Sequence, residues 1–501
     1  MATISSAHIN CFVISPRNVF CIAKAKPVSV YIFCAAIFIL LTTACLPVKA
    51  LDHNKYASQK SDTTEAKLYL KKIIISGNRQ TKSYIILREM KVKQGDSILA
   101  SQIPALLEAS RSFVYNTTLF IEVKVTPVII NASEFNVLVE VKERWYIFPI
   151  PVFQIADRSF NEWIKKYDAD FDRVSYGLRF YHLNVSGRKD QFSFTLINGF
   201  TRNISFDYKA PYSNPALSEG VSFGAASAQT RSIPFKTDSK NNIIYFKNDD
   251  FVKNEWNINA AYISRRGLKK KETFSISFHH IKVDDSIITQ LYNPGFFNSK
   301  SATKNFPEFE YKLQFTDVDN IIYPLRGYAA TFIANKRGLQ INEDINRLIL
   351  SMRYNFYFKY PHKWYSSIRF SGEVKLPFKQ PYINRRSLGY GEDYLRGDEY
   401  YVIDGVASAL AKFDVKKELL RFSVPTFLKS NAYNKIPFTI YAKAFGDMGY
   451  AYIQQQFDTR LNNIFLYSGG FGIDIVTLYD FKLSVQCSFN QLGQKGLFLH
   501  N

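Results

Sequence analysis

The residues with the most chemical character lie in one connection, Leu388–Gly405, LGYGEDYLRGDEYYVIDG. It combines glycines that relieve bends, several acids, the tyrosines Tyr390, Tyr394, Tyr400 and Tyr401, and a single arginine, Arg396. A loop this long inside a compact domain is either functional or disordered, and disordered segments are poor in aromatic residues. The stretch therefore reads as an ordered loop, folded back on itself with Arg396 near the tip. A guanidinium held in a fold requires an anion, and the run Phe445-Gly446-Asp447-Met448-Gly449 supplies one in Asp447. Guanidinium and carboxylate match as a bidentate pair. In a water-filled lumen such a pair contributes little stability alone, so its expected use is to hold the loop in one place.

Nothing else points to bond-making chemistry. No G-x-S-x-G, H-E-x-x-H or phosphate loop occurs, so no catalytic residue, metal ligand or cofactor is expected. The pair His279-His280 reads as one lumen-facing and one lipid-facing neighbour on a strand. Of five cysteines, Cys11, Cys21, Cys34 and Cys45 precede residue 50 and only Cys487 follows. With the first segment removed, neither an intrachain disulfide nor a cysteine zinc site remains.

The elements that would position Arg396 and Asp447 follow from composition and period. Among 501 residues, 43 are Phe and 32 are Tyr, against 4 Met and 4 Trp. Aromatic residues suit a pleated, half-buried surface, and a membrane β-barrel with an apolar band and aromatic girdles accounts for the excess. The net charge of +21 is dispersed and without a helical nucleic-acid motif, which argues against nucleic acid and for anionic lipid headgroups.

Residues 28–46 form an apolar run preceded by Arg17, Lys24 and Lys26 and followed by Val48-Lys49-Ala50. This is the pattern of a secretory signal peptide spanning 1–50, with a flexible lead-in at 51–67. Residues 68–143 then read as a small α/β unit. Its strands are Lys71–Ser76, ended by a turn at Gly77-Asn78, then Leu119–Thr126 and Phe135–Val141. One helix is expected from a Thr81 cap to Met90, and another from Ser101 to about Tyr115, with Ile103, Leu106, Leu107 and Val114 at helical spacing.

From Arg144 to residue 501 the period is two. Tyr176, Leu178 and Phe180 alternate with Gly177, Arg179 and Tyr181, and Leu350, Met352 and Tyr354 with Ser351 and Arg353. About sixteen such segments are expected, each near the length a tilted membrane strand requires. Connections after even strands are short, as at Asn184–Gly187, Tyr360–Lys363 and Leu478–Asp480. Long ones follow odd strands, at 229–255, 282–307, 375–406 and 448–467, which is the membrane-barrel pattern. The connections 209–219 and 416–436 depart from it by their length. On the strand around Phe438–Ala444, residues Thr439, Tyr441, Lys443, Phe445 and Asp447 share the lumen face.

The β-α-α-β-β order and the phrase IIISGN…T…I…REM resemble a POTRA domain. With the loop tip Leu395-Arg396-Gly397-Asp398 and the run Phe445–Gly449, nearly everything after residue 68 resembles a BamA/TamA-type outer-membrane barrel of the surface-antigen family. That family folds its sixth outer loop into the barrel through a V-R-G-F/Y tip and carries F-x-D-x-G on a later strand. Leu395 replaces Val here, and Asp398 stands where an aromatic is usual. Leu325-Arg326-Gly327-Tyr328 fits the tip better by letters, but it follows an even strand and belongs at the periplasmic rim.

The resemblance implies a transmembrane antiparallel β-barrel behind a periplasmic POTRA domain, in the outer membrane of a Gram-negative cell. It implies a loop clamp of Arg396, Gly397, Phe445, Asp447 and Gly449, and no enzymatic activity. It also implies a seam between Arg144–Ile155 and Lys495–His500, with Tyr146, Phe148, Phe153, Leu497 and Phe498 as its residues. The implied function is assembly or translocation of unfolded outer-membrane or secreted client proteins, with outer-membrane lipids and accessory lipoproteins as further partners. The alternative is an outer-membrane pore, or a lipid or polysaccharide transport barrel, without insertase activity. Intact mass should show a purified protein that begins near Leu51; a protein retaining residues 1–50 would overturn the signal-peptide reading.

Overall fold

A computed structural model of the chain describes residues 66–155, 170–339, 345–426, 435–454, 459–477 and 481–500. The signal segment 1–50, nearly all of the lead-in and the turn Leu478–Asp480 lie outside the described residues.

The first part is a four-stranded sheet with two helices. In chain order it runs β1 (Lys67–Ser76), α1 (Ser83–Glu89), β2 (Ser97–Leu99), α2 (Ile103–Tyr115), β3 (Phe120–Ile129) and β4 (Glu134–Glu143). The sheet order is β2-β1-β4-β3, with β1 and β4 parallel. Leu70, Ile85, Ile86, Leu107, Val114, Phe120, Phe135 and Val137 form its core. Gly77, at φ +90°, ends β1 where any Cβ would lie 1.9 Å from the Val141 carbonyl oxygen; glycine alone tolerates that approach. Strand β2 was not anticipated, because three residues carry too little periodicity to register.

Neither Thr81 nor Ser101 occupies the N-cap position expected of it. Lys82 and Gln102 occupy the two N-cap positions without side-chain caps. Thr81 is drawn elsewhere: its hydroxyl lies 2.9 Å from the Tyr146 hydroxyl and accepts from Asn184 Nδ2 at 3.0 Å. Tyr146 is buried in the same core, and its hydroxyl donates to the Leu119 carbonyl at 3.1 Å. It therefore belongs to the joint between the small domain and the barrel and not to a seam, because it precedes β5 and the Thr81 hydroxyl and Leu119 carbonyl of the small domain satisfy its phenol.

The second part is one sixteen-stranded antiparallel sheet. Its first five strands are β5 (Ile147–Ile155), β6 (Val174–His182), β7 (Gln191–Gly199), β8 (Thr201–Ala210) and β9 (Glu219–Thr230). A side hairpin, β10 (Ser232–Thr237) and β11 (Ile243–Lys247), precedes β12 (Lys253–Ser264), β13 (Lys270–Val283), β14 (Thr303–Val318) and β15 (Gly327–Arg337). Then come β16 (Arg347–Tyr360), β17 (Trp364–Leu376) and a small pair, β18 (Arg386–Leu388) and β19 (Ile403–Asp404). The barrel ends with β20 (Ala407–Pro425), β21 (Lys435–Tyr452), β22 (Phe465–Val476), β23 (Lys482–Asn490) and β24 (Lys495–His500). The sheet passes directly from β9 to β12 and from β17 to β20, so β10–β11 and β18–β19 are decorations on long connections. Leu196, Ile204, Phe206, Phe223, Ile258, Phe274, Ile276, Phe471 and Ile473 are exposed on its outside, as a lipid-facing band requires.

Two exceptions to the connection rule resolve. Most of 416–436 is strand, because β20 and β21 continue past the wall to Pro425 and from Lys435. The longer connection 211–218 is a docking turn: Tyr212 is buried in the small domain's core and Leu217 packs against it. There Glu89 accepts from Tyr212 Oη and Arg265 Nη2, both at 2.9 Å, and also pairs with Arg265 Nη1. Arg88 Nε donates to the Leu217 carbonyl at 2.5 Å, and its guanidinium lies 4.9 Å above the Tyr212 ring. Burial opposes ionisation of Glu89, and the Arg265 guanidinium more than offsets it, so the carboxyl titrates below its ordinary 4.5. The turns 183–190, 211–218, 265–269 and 319–326 all follow even strands and all touch the small domain, which places it at the short-turn end.

Arg265→Ala strips a fully buried carboxylate of its main cation and should weaken the joint by about 3–5 kcal/mol. Release of residues 68–144 by limited proteolysis measures it. Because the folded value lies below the ordinary one, Glu89's contribution is present above pH 4.5 and is lost as pH falls through the lowered value; protease release should rise in that direction.

Candidate functional site

Arg396 sits inside the barrel. Along β21, Tyr441, Lys443, Phe445, Asp447 and Gly449 are buried on one face, while Ala444 and Met448 are exposed. The alternation of a strand therefore aims Asp447 inward. Strand β20 pairs with it so that Lys412 faces Asp447 and Asp414 faces Phe445, bringing a second carboxylate to the same spot.

The guanidinium is fully engaged. Arg396 Nε donates to Asp447 Oδ2 at 2.9 Å, Nη2 binds Asp447 Oδ1, and the Arg396 backbone N–H reaches the same carboxylate at 2.9 Å. Nη1 pairs with Asp414 Oδ1 at 2.5 Å. Arg396 Cζ lies 4.1 Å from the Phe445 ring centroid, a cation–π contact that is strong when dry. Arg396 is 6% and Asp447 1% exposed. The expected water-filled setting is thus replaced by a desolvated one, because the loop itself fills the lumen around its tip.

The glycines at the clamp are steric. Gly397 has φ +99°, and a Cβ there would sit 3.2 Å from Ser488 Cβ. A Cβ on Gly449 would come within 2.9 Å of Leu395 Cδ1. All five expected clamp residues therefore meet in one place.

Sequence reasoning missed three attachments of the same loop. Asp414 went unnoticed because cross-strand register is non-local, and only its period-2 position between Phe413 and Val415 hinted at a lumen face. Arg353 of β16 binds Asp393 Oδ1 at 3.0 Å and Glu392 Oε2 at 2.9 Å. The third attachment is the last hairpin. Asn490 Nδ2 donates to the Gly397 carbonyl at 2.9 Å and to Asp398 Oδ1 at 2.8 Å. Asp398 is accommodated in place of an aromatic because β23 offers it this amide.

The seam residues divide. Phe153 and Leu497 are exposed. Phe498 faces the loop, its ring 5.6 Å from Tyr400, while Tyr394 stacks on His500 at 5.7 Å. Strand alternation puts Phe148 and Phe153 on opposite faces of β5, and Tyr146 lies in the domain joint. Among the described residues no ladder joins β24 to β5.

Arg326 is remote from the clamp. Its backbone N–H donates to Asp319 Oδ1 at 3.1 Å, in a turn that Asn116 of the small domain holds through Val318 and Ile321. The same turn sends Tyr323 into the barrel, where its hydroxyl donates to Asp474 Oδ2 at 2.9 Å.

His279 Nε2 lies 2.9 Å from Ser277 Oγ, and His280 Nδ1 lies 2.7 Å from Asn305 Oδ1; the two rings stack on different partners, Phe306 and Trp256. Among the described residues no group of His, Cys, Asp and Glu has metal-binding spacing.

Comparison with known proteins finds the POTRA family, described as surface antigen variable number repeat, at residues 68–144. Solved structures similar to the chain include BamA from Haemophilus ducreyi lacking POTRA domains 1–3, at 12% identity and TM-score 0.47, over 86% of this chain and 83% of that one. CdiB from Escherichia coli aligns at 11% identity and TM-score 0.45, over 96% of this chain and 98% of that one. CdiB from Acinetobacter baumannii aligns at 11% and 0.43, over 86% and 73%. No curated protein matches the chain in sequence.

Arg396→Ala should cost about 3–5 kcal/mol of loop stability, since two buried carboxylates lose their cation, and should expose Leu388–Gly405 to protease within an intact barrel. Asp447→Ala should cost less because Asp414 keeps the guanidinium. The double variant should recover part of the Arg396→Ala loss, the two sites being coupled. Arg326→Ala should leave loop protection unchanged; a loop released by Arg326→Ala alone would assign the clamp to the wrong arginine. In architecture the chain is a POTRA domain, residues 68–144, followed by a sixteen-stranded antiparallel barrel.

Proposed function

We propose that this protein is an outer-membrane assembly or translocation factor, with its POTRA domain in the periplasm. The POTRA sheet receives an extended client segment by adding it as a strand at a sheet edge. The barrel then admits the client at the seam between β5 and β24. The observation that carries this reading is the combination of a POTRA module fixed to the short-turn end by the Glu89–Arg265 cluster with a barrel whose terminal strands carry no mutual ladder among the described residues. Clients are unfolded outer-membrane or secreted proteins, and accessory lipoproteins and membrane lipids are further partners. The +21 net charge favours anionic headgroups at the membrane surface.

A pore or a lipid or polysaccharide transport barrel is the competing reading. The loop held by Arg396 and the turn carrying Tyr323 both occupy the lumen, which favours a route through the wall over one through the centre.

Depletion of the protein, followed by an inventory of outer-membrane β-barrels, tests the proposal; barrel levels should fall severalfold. Disulfides placed between β5 and β24 should produce the same loss while leaving the fold intact. Unchanged barrel levels with lost solute uptake would establish the pore instead.

A further inference from the structure

The first barrel strand has an unusual sequence, Ile147-Phe148-Pro149-Ile150-Pro151-Val152-Phe153-Gln154-Ile155. Proline has no N–H and within sheets is confined to edges or bulges. Two prolines spaced by two residues direct their missing donors to the same side of the strand, since backbone groups at i and i+2 point the same way.

Which side is determined by one hydrogen bond. The Leu183 N–H donates to the Tyr146 carbonyl at 2.8 Å, and the β5–β6 ladder runs on from Ile147↔His182 to Ile155↔Val174 without a shift in register. Tyr146 is therefore a hydrogen-bonded position facing β6, and so are the even residues after it. The odd residues, Pro149 and Pro151 among them, direct their backbone groups to the other side, the edge of β5 on which no ladder forms among the described residues. The same reasoning applies at the opposite end of the sheet. The Asn490 N–H donates to the Gln494 carbonyl at 3.1 Å, and the β23–β24 ladder is also unshifted. Lys495, Leu497 and Leu499 thus direct their backbone groups away from β23.

We propose that Pro149 and Pro151 make the centre of this seam edge acceptor-only. Any strand that pairs there must donate its own N–H groups to the Pro149 and Pro151 carbonyls and receives nothing back, so β24 cannot zip fully onto β5 and an extended client strand can displace it. The inference rests on the assembly reading and specifies how that seam is regulated. The simpler role of edge prolines, blocking unwanted strand addition, is one the experiment separates, because a blocked edge captures no strand at all.

The test uses the full-length protein in lipid nanodiscs. A ten-residue peptide of alternating leucine and threonine serves as the probe, with a photoreactive side chain introduced at position 150. The unmodified peptide should crosslink. A peptide N-methylated at alternate residues on its donating edge should crosslink at least tenfold less, in whichever of the two phases faces β5. Pro149→Val with Pro151→Val restores both donors. It should slow hydrogen exchange at the Leu497 and Leu499 amides at least tenfold and reduce peptide capture by a similar factor. Unchanged heat-dependent gel mobility confirms the barrel, and Pro151→Val alone, giving an intermediate effect, serves if the double variant fails to assemble. Absent capture, capture indifferent to both N-methylation phases, or unchanged amide exchange in a folded variant would overturn the proposal. If the peptide results hold while depletion leaves outer-membrane barrels intact, the assembly reading fails and the acceptor-only edge stands; the converse pattern retains the assembly reading and rejects the edge.

Discussion

One buried cation organises the interior of this protein. Removing a guanidinium from water is costly unless every donor is satisfied and its charge is balanced. Arg396 meets that condition only where β20 and β21 run side by side with Asp414 and Asp447 on their inner faces. The requirement ties the loop between the neighbouring strands β17 and β20 to the register of β20 against β21. Two carboxylates against one guanidinium leave negative charge to spare, and the wall supplies cations nearby. Lys412 Nζ lies 4.0 Å from the Tyr394 ring centroid, and Lys443 pairs with Asp474 at 2.5 Å.

The same interior is entered from the other end. The turn 319–326 is gripped by Asn116 of the POTRA domain and delivers Tyr323 to Asp474. Lys416 Nζ lies 4.4 Å from the Tyr323 ring centroid and 3.9 Å from Asp474, two residues along β20 from Asp414. Contacts therefore run from the small domain through the turn 319–326 to the neighbourhood of the Arg396 clamp. Continuity of contact is the physical precondition for coupling between the two ends; coupling itself is a matter of energies. The Glu89–Arg265 cluster and the Thr81–Tyr146 contact fix the POTRA domain on this side, so a load on that domain acts on the turns themselves.

The residues misread from sequence share a cause. Thr81 has the composition of a helix cap but spends its hydroxyl on Tyr146, and Tyr146 has the position of a seam residue but is enclosed by the POTRA core. Glu89 lies at helical spacing from Ile85 and Ile86 on the buried face of α1; that placement is a legible sign of a buried acid in need of a partner. Its partner, Arg265, comes from a turn 176 residues away, beyond the reach of any local pattern. The dry lumen was likewise hidden, because strand alternation reports which face is polar and not whether a loop fills the space in front of it.

Local chemistry therefore carried the architecture. Period-2 alternation determined the barrel strands and which face of β21 holds Asp447. Short and long connections determined which end faces the POTRA domain, and Pro149 with Pro151 determined a donor-poor strand at the sheet's edge. Cross-strand register was decided only in the tertiary structure. A shift of one residue between β20 and β21 would leave every strand pattern intact yet turn Asp414 outward, so the second carboxylate of the clamp could appear only once the sheet was assembled.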